Sequence, residues 1–300
     1  MFKAHNRGNA YSPAPRRTAI LSVLILSFAG LPAVVAEASR DGLRTAASGA
    51  TASYDATVLQ DRPSAFWNVG SPDSGSERDL TGNGHTGRYI GRPAATRLPN
   101  GARAARFNGT SQYMQVPDSA SLSPATRGVL TIEAWMRPDT LTFPDTEGSG
   151  YVHWLGKGEP NKHEYVARMY SADNTEKPYR ANRISGYLFN ASGGKGAGSH
   201  FQRNIRAGKW IHYVLVLNSK ARSAAYPRGY TKVYRDGQQM DQDSLIFDGT
   251  AIVPQRGNAS LRVGTRDLRS FFKGGIGKVA IYDKELPAIR VAAHYRAMIG

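Results

Sequence analysis

Residues 130–138 read Leu-Thr-Ile-Glu-Ala-Trp-Met-Arg-Pro, and their side chains alternate. Ile132, Ala134 and Met136 fall on one side of an extended chain and Thr131, Glu133 and Trp135 on the other, the period of two that a β-strand imposes. Pro138 has no N–H to give a ladder and marks the end of that strand. Residues 210–217, Trp-Ile-His-Tyr-Val-Leu-Val-Leu, are apolar almost without interruption, which predicts a strand buried on both faces. Shorter strand-like runs are predicted at 103–107, 112–116, 165–170, 184–189, 199–202, 230–234, 238–240, 261–264 and 275–282. Residues 54–58 and 63–67 read as short edge strands.

The segments between these runs carry the residues of turns. The chain holds 32 Gly and 16 Pro, a composition suited to many tight connections. Asn108-Gly109 and Asp236-Gly237 each sit between two strand-like runs, and such pairs predict type I′ hairpins. The stretch Asp79-Leu-Thr-Gly-Asn-Gly-His-Thr-Gly87 needs positive φ at several positions. Residues 139–163 read as a long loop around Tyr151-Val-His-Trp-Leu155, and residues 171–182 as an exposed polar segment. Gly-rich residues 192–198 read as a flexible turn. Residues 287–298 predict one closing helix with proline in its first turn and Ile289, Val291, Ala292 and Tyr295 on its apolar side. The reading is therefore all-β, one domain over residues 54–300, with a short C-terminal helix.

Composition changes this picture at the N-terminus. Lys3, Arg7, Arg16 and Arg17 precede an apolar run over residues 19–29, and Ala36-Glu37-Ala38 supplies a small-x-small cleavage pattern. Residues 1–38 thus read as a signal peptide and the mature chain as secreted or periplasmic. Arg16-Arg17 weakly resembles a twin-arginine signal. Residues 39–53 are small and polar and read as a flexible linker. There is no cysteine, which excludes disulfides and thiol chemistry. Of the formal +16, residues 39–300 keep +13. This surface attracts anionic partners, yet its positives are scattered rather than clustered, so a solvated basic face fits better than a specific nucleic-acid groove. No run after residue 40 is apolar for long enough to span a bilayer, and the mature chain is expected to be a soluble monomer.

Taken in order, Phe-Asn-Gly with Tyr-Met-Gln-Val-Pro, Leu-Thr-Ile-Glu-Ala-Trp-Met-Arg-Pro, Gly-Lys-Trp-Ile-His-Tyr-Val, Val-Tyr-Arg-Asp-Gly, Leu-Arg-Val-Gly-Thr and Gly-Gly-Ile-Gly-Lys-Val-Ala-Ile-Tyr resemble a laminin G-like domain of the concanavalin A-like lectin/glucanase superfamily. The resemblance covers about residues 54–299. It implies a two-sheet antiparallel jelly-roll sandwich with a carbohydrate or protein ligand on a concave face or rim loop. It also implies a calcium site. Asp79 and Asn83 match the family's Asp-x-Ser-Gly-Asn-Gly-His turn, whose oxygens suit Ca²⁺. Gly277-Lys278 stand where many members carry an acidic pair, so an acidic group is missing. The alternative is an Asp that bonds its own turn.

Sugar recognition needs aromatic faces and planar polar groups. Arg168 and Tyr170 share one strand face and Tyr187 lies on the neighbouring run; with Arg183, His153, Trp154 and His200 they are the candidate ligand-binding residues. Core packing is the competing reading for Tyr187 and Trp154, while Trp67, Trp135 and Trp210 are assigned to the core. A retaining glycosidase on this fold needs paired carboxylates. No Glu-x-Asp-x-Glu occurs, and Glu133 stands alone in its strand. A polyuronate lyase needs only a Tyr or His base and a group that neutralises the carboxylate, roles open to Tyr170, His200 and Arg168, although the signatures of jelly-roll alginate lyases are absent. Asn108, Asn190 and Asn258 begin glycosylation sequons. The sequence points to a non-catalytic, lectin-like module for a polysaccharide or glycoconjugate, with its positive surface favouring an acidic one. A lyase is the first alternative and a protein-binding or structural module the second.

Overall fold

The computed structural model describes residues 53–144, 150–159, 162–190 and 194–300. The expected signal peptide and nearly all of the expected linker lie outside the described residues. In chain order the elements are α1 (Tyr54–Gln60), β1 (Ala65–Trp67), β2 (Ser76–Glu77), β3 (Gly87–Ile90), β4 (Ala94–Arg97), β5 (Arg103–Asn108), β6 (Tyr113–Val116), α2 (Pro124–Arg127), β7 (Val129–Pro138), β8 (Tyr151–Glu159) and β9 (Lys162–Tyr170). They continue with β10 (Ile184–Phe189), β11 (Gly196–Phe201), β12 (Ile211–Asn218), β13 (Tyr230–Arg235), β14 (Gln238–Ser244), β15 (Ile246–Phe247), β16 (Thr250–Ala251), β17 (Leu261–Val263), β18 (Lys273–Tyr282) and α3 (Ala288–Ile299).

These strands form the expected antiparallel jelly-roll sandwich. One sheet runs β14-β13-β12-β7-β18-β5-β4 with β1 paired to β18, and the other runs β11-β10-β9-β8-β17-β6-β3-β2. β7 is central to the first sheet, between β12 and β18. Its alternation sorts the molecule into layers. Ile132, Ala134 and Met136 enter the core between the sheets with Tyr213, Leu215 and Ile276, against Trp154, Ala167, Met169 and Ile184 of the second sheet. Trp135 points the other way, into a second cluster where Tyr54, Val58, Leu286, Val291 and Met298 cover the outer face of the first sheet. Both faces of the first sheet are thus shielded from water, as the unbroken apolar run of β12 requires. The outer face of the second sheet has no helix packed on it among the described residues.

Several sequence expectations are corrected. Residues 54–58 form helix α1, not an edge strand. The Ser53 hydroxyl accepts from the Ala56 amide at 3.3 Å, a helix N-cap, and Tyr54 and Val58, one helical turn apart, share the buried side. Asn108-Gly109 joins no hairpin, because β5 and β6 lie in different sheets. There the Asn108 side-chain oxygen accepts from the amides of Thr110, Ser111 and Gln112 at 3.0–3.2 Å and directs the chain across the sandwich. The hairpin expected at Asp236-Gly237 does form, with φ of 51° and 81° at its two central residues.

The expected loop at 139–163 contains the nine-residue strand β8, paired with β9 and β17. Gly156, Lys157 and Gly158 hide its alternation. In the expected exposed segment 171–182, Ser171, Asn174 and Ala181 are buried. In α3, Pro287 is the N-cap residue rather than part of the first turn. Ile289 is 70% exposed, and His294 takes its expected place on the buried side beside Val291 and Met298. Trp67 and Trp135 are core residues, whereas Trp210 is half-buried and donates its indole N–H to the Arg97 carbonyl at 3.0 Å.

Candidate functional site

Register places the site. Across the second sheet His153 pairs with Arg168, Arg168 with Ser185, and Ser185 with His200. Directly paired residues share a face, so His153, Arg168 and His200 form one row on the open side of the sheet. Two residues further along, Tyr170 pairs with Tyr151, and in the opposite direction Tyr187 pairs with Val166. Tyr187 also pairs with Gly198, where a Cβ would lie 1.9 Å from the Gly186 carbonyl oxygen. Only glycine allows β11 to approach β10 this closely.

Arg168 is the centre of this face. Its guanidinium carbon lies 4.2 Å from the Tyr151 ring centre, 5.0 Å from that of Tyr187 and 5.6 Å from that of Tyr170, within the range of cation–π attraction. Arg168 Nε donates to His153 Nε2 at 2.9 Å and Nη1 donates to the Tyr170 hydroxyl at 3.0 Å. The His153 ring lies beneath it and is 2% exposed. Burial and the flanking Arg168 and Arg266 cations hold the His153 pKa at about 3, against the pull of Asp267. A neutral ring is what lets Nε2 accept from Arg168. Burial alone would raise the Tyr170 phenol, but Arg168 and Arg180 draw it below its ordinary value.

These groups open on a cleft of about 440 Å³ lined by Arg168, Tyr170, Arg180, Arg183, Tyr187 and His200, with Ile246 and Phe247 at its lip. Arg180 donates to Glu176 at 2.5 Å and lies 5.5 Å from the Tyr170 ring centre. Arg183 donates to the Gln202 side chain at 3.0 Å and to the Tyr179 carbonyl at 2.8 Å. The His200 amide donates to Asp241 at 2.9 Å, while burial and Arg183 lower the imidazole pKa. By register His200 stands two strands from Arg168, roughly 10 Å, on the far wall of the cleft.

Of the candidate binding residues, Arg168, Tyr170, Tyr187, Arg183 and His200 are brought together around one cleft. Trp154 is not among them. Alternation from outward-facing His153 turns it inward, where it is fully buried and meets Tyr213 edge-on at 4.9 Å; the register shift that follows brings Leu155 to the core as well. His153 lines no cleft surface and instead positions Arg168. Sequence reasoning missed four contributors. Tyr151 lay inside an expected loop, Arg180 in an expected polar segment, and Arg266 with Asp267 in a connection. Arg266 is 1% exposed, lies beside Asp267 and reaches His153 Nδ1 at 3.3 Å. The alternation of 165–170 was the usable signal, since any residue paired to its outward face belongs to the site.

The turn at Asp79 is a separate feature. Asp79 Oδ1 accepts from the Phe66 amide at 3.1 Å, the Thr81 amide at 3.0 Å and the Thr81 hydroxyl at 2.7 Å, and Oδ2 accepts from the His85 amide at 3.1 Å. Asn83 donates its side-chain N–H to the Ser64 carbonyl at 2.9 Å. No group of three His, Asp or Glu side chains converges as a metal site among the described residues. A carboxylate surrounded by four donors fits a turn organiser better than a calcium ligand.

Residues 108–292 match the pattern of a laminin G family within the concanavalin A-like lectin/glucanases superfamily. Similar folds occur in the fourth domain of an extracellular arabinanase from Geobacillus stearothermophilus, solved with arabinotriose (TM-score 0.53, 18% identity, 77% of this chain and 98% of that one). They also occur in the binding domain of Paraclostridial Mosquitocidal Protein 1 (TM-score 0.56, 15% identity, 79% and 52%). A third case is the binding domain of botulinum neurotoxin DC in complex with SialylT (TM-score 0.55, 12% identity, 80% and 52%). The match thus spans about half of each toxin domain. A search of curated proteins finds no match. With 108–292 covering more than half of its 300 residues, the chain belongs to the concanavalin A-like lectin/glucanase superfamily, as a laminin G-type member.

Proposed function

We propose that this chain is an exported, lectin-like module that binds an acidic polysaccharide through the Arg168 cleft. The observation that carries the reading is the Arg168 guanidinium held among three tyrosine rings, with Arg180 and Arg183 beside it. Two of its N–H groups are held by His153 and Tyr170, and the planar guanidinium is the group suited to a carboxylate. Tyr187 and Phe247 offer apolar faces of the kind that pack against sugar rings. The arabinotriose complex of the arabinanase domain and the SialylT complex of the neurotoxin domain support a glycoconjugate as the kind of partner. Export is supported by the N-terminal basic and apolar pattern of residues 1–38.

The test is affinity electrophoresis of the purified protein through gels containing neutral and acidic polysaccharides, with ultraviolet absorbance of the same mixtures followed over time. Retention by acidic polymers without new absorbance is the expected result. Retention by none of them would overturn the reading. Rising absorbance would establish instead a polyuronate lyase, the second reading, favoured by the Tyr170 hydroxyl held against the Arg168 guanidinium and drawn below its ordinary pKa. As the phenolate, Tyr170 would take the proton beside the uronate carboxyl and Arg168 would neutralise the carboxylate. The glycosidic C4–O bond would break to leave a C4=C5 double bond, and the departing oxygen would take the proton back from Tyr170.

For the Asp79 turn we propose a structural role without calcium. The melting temperature is expected to be the same in calcium and in a chelator, and Asp79→Ala is expected to destabilise the fold by about 2–3 kcal/mol through its orphaned amides. A melting temperature that rises with calcium would restore the ion.

A further inference from the structure

On the far side of Tyr151 lies a second cleft, of about 240 Å³, lined by Thr110, Phe143, Tyr151, Arg269, Ser270 and Phe271. We propose that it is a second sugar subsite, and that the ligand is an acidic oligosaccharide lying across both clefts rather than one terminal sugar. This inference rests on the reading of the Arg168 cleft given above and extends it.

Three observations join the clefts. Tyr151 lines the second cleft while its ring lies 4.2 Å from the Arg168 guanidinium carbon and 5.5 Å from the ring centre of Tyr170, which lines the first. The clefts are therefore joined through this tyrosine pair, of which half-buried Tyr151 offers surface and Tyr170, 1% exposed, supports it from below. The connection that builds the second cleft is also anchored to the residue that positions Arg168. Ser270 Oγ accepts from the His153 amide at 3.1 Å, the Thr265 hydroxyl donates to the Ser270 carbonyl at 2.6 Å, and Asp267 lies 3.6 Å from His153 Nδ1. Finally, the volume is smaller than the roughly 300 Å³ at which whole-ligand pockets begin, so this cleft suits one part of a ligand whose remainder lies elsewhere.

The chemistry of the walls divides the labour. The first cleft has Arg168, Arg180 and Arg183 and selects the anionic unit. The second offers Tyr151 and Phe271 as ring faces, with the exposed Arg269 at its rim, and suits the face of the neighbouring sugar in the same chain. Each subsite adds affinity only when one chain reaches both, so binding is expected to depend on chain length.

The experiment is titration calorimetry of the protein with uronate oligomers of mannuronate, guluronate, galacturonate and glucuronate, graded from monosaccharide to hexasaccharide. Lengthening the bound series beyond the first unit is expected to lower Kd by about tenfold, the size of a good aromatic contact. Phe271→Ala and, independently, Arg269→Ala are expected to remove much of that gain while leaving the affinity of the shortest bound member unchanged. Arg269 is exposed, so its variant keeps the test open if Phe271→Ala misfolds. Equal affinity at all lengths, or a gain that survives in the folded variants, would overturn the second subsite while the first stands. Failure of the wild type to bind any oligomer, or undiminished binding in Arg168→Ala, overturns the first reading and this one with it.

Discussion

Replacing Glu133 by alanine is expected to reduce folding stability by about 3–5 kcal/mol, the range for breaking a buried ion pair by removing one partner. Glu133 lies in the middle of β7, is fully buried, and faces α1 and α3 rather than the core between the sheets. Its Oε1 accepts from the Tyr54 hydroxyl and His212 Nε2, each at 2.8 Å, and its Oε2 accepts from the Tyr282 hydroxyl at 2.8 Å and His294 Nδ1 at 2.9 Å. His294 Nε2 lies 2.8 Å from Asp61, which also holds Arg290 at 2.7 Å. Both nitrogens of His294 face carboxylates, so the ring is bound as the imidazolium. Removing Glu133 strands two buried hydroxyls and a buried cation together, at the joint where both helices meet the sheet.

The pH dependence carries the same signature. Burial would raise the Glu133 pKa, but His294 and His212 depress it well below its ordinary 4.5. Its contribution is therefore present above pH 4.5 and is lost as pH falls through the depressed value. Burial would lower the His294 pKa, but Glu133 and Asp61 raise it above 6.5. That contribution is complete below pH 6.5 and is lost as pH rises through the raised value. Chemical denaturation across pH should show a plateau between these limits in the wild type. In His294→Gln the alkaline decline should shrink, and an unchanged decline would remove His294 from the account.

Arg168→Ala is expected to weaken binding of acidic polysaccharide by about 30-fold, since a hydrogen-bonded charge contributes roughly 2 kcal/mol. The residue supplies the charge, the planar donors and the packing partner of Tyr151, Tyr170 and Tyr187. Arg168→Lys is expected to recover only a small part, because an ammonium lacks the planar fork and stacks less well on the rings. Arg168→Ala also leaves His153 Nε2 without its donor, so a melting curve must accompany each affinity. Lost binding with a native melting curve supports the site, and retained binding in both variants removes Arg168 from recognition.

Much of this was legible in the chain. The alternation at 130–138 and 165–170 identified which side chains share a face, and it grouped Arg168 with Tyr170 before any contact was known. The apolar run at 210–217 required cover on both sides of its sheet. What the period of two could not supply was the partner strand. Tyr151 and His153 join Arg168 only because β8 pairs with β9 in one register, and glycines and a lysine conceal β8 in the sequence. Local pattern misled at 54–58, where a Ser53 cap and a one-turn spacing of Tyr54 and Val58 outweigh the strand-like alternation. It misled again at Asn108-Gly109, where the same pair that makes a hairpin elsewhere carries the chain between sheets. Trp154 was decided by its neighbour, since His153 pairs with Arg168 on the open face and alternation then sends Trp154 to the core. The sequence alone determined an all-β chain, its turn chemistry and its excess of positive charge, because these depend on neighbours along the chain. The tertiary structure alone decided that Glu133, His212 and His294 share one buried site and that Arg168 stands among three tyrosines, because those contacts join residues far apart in sequence.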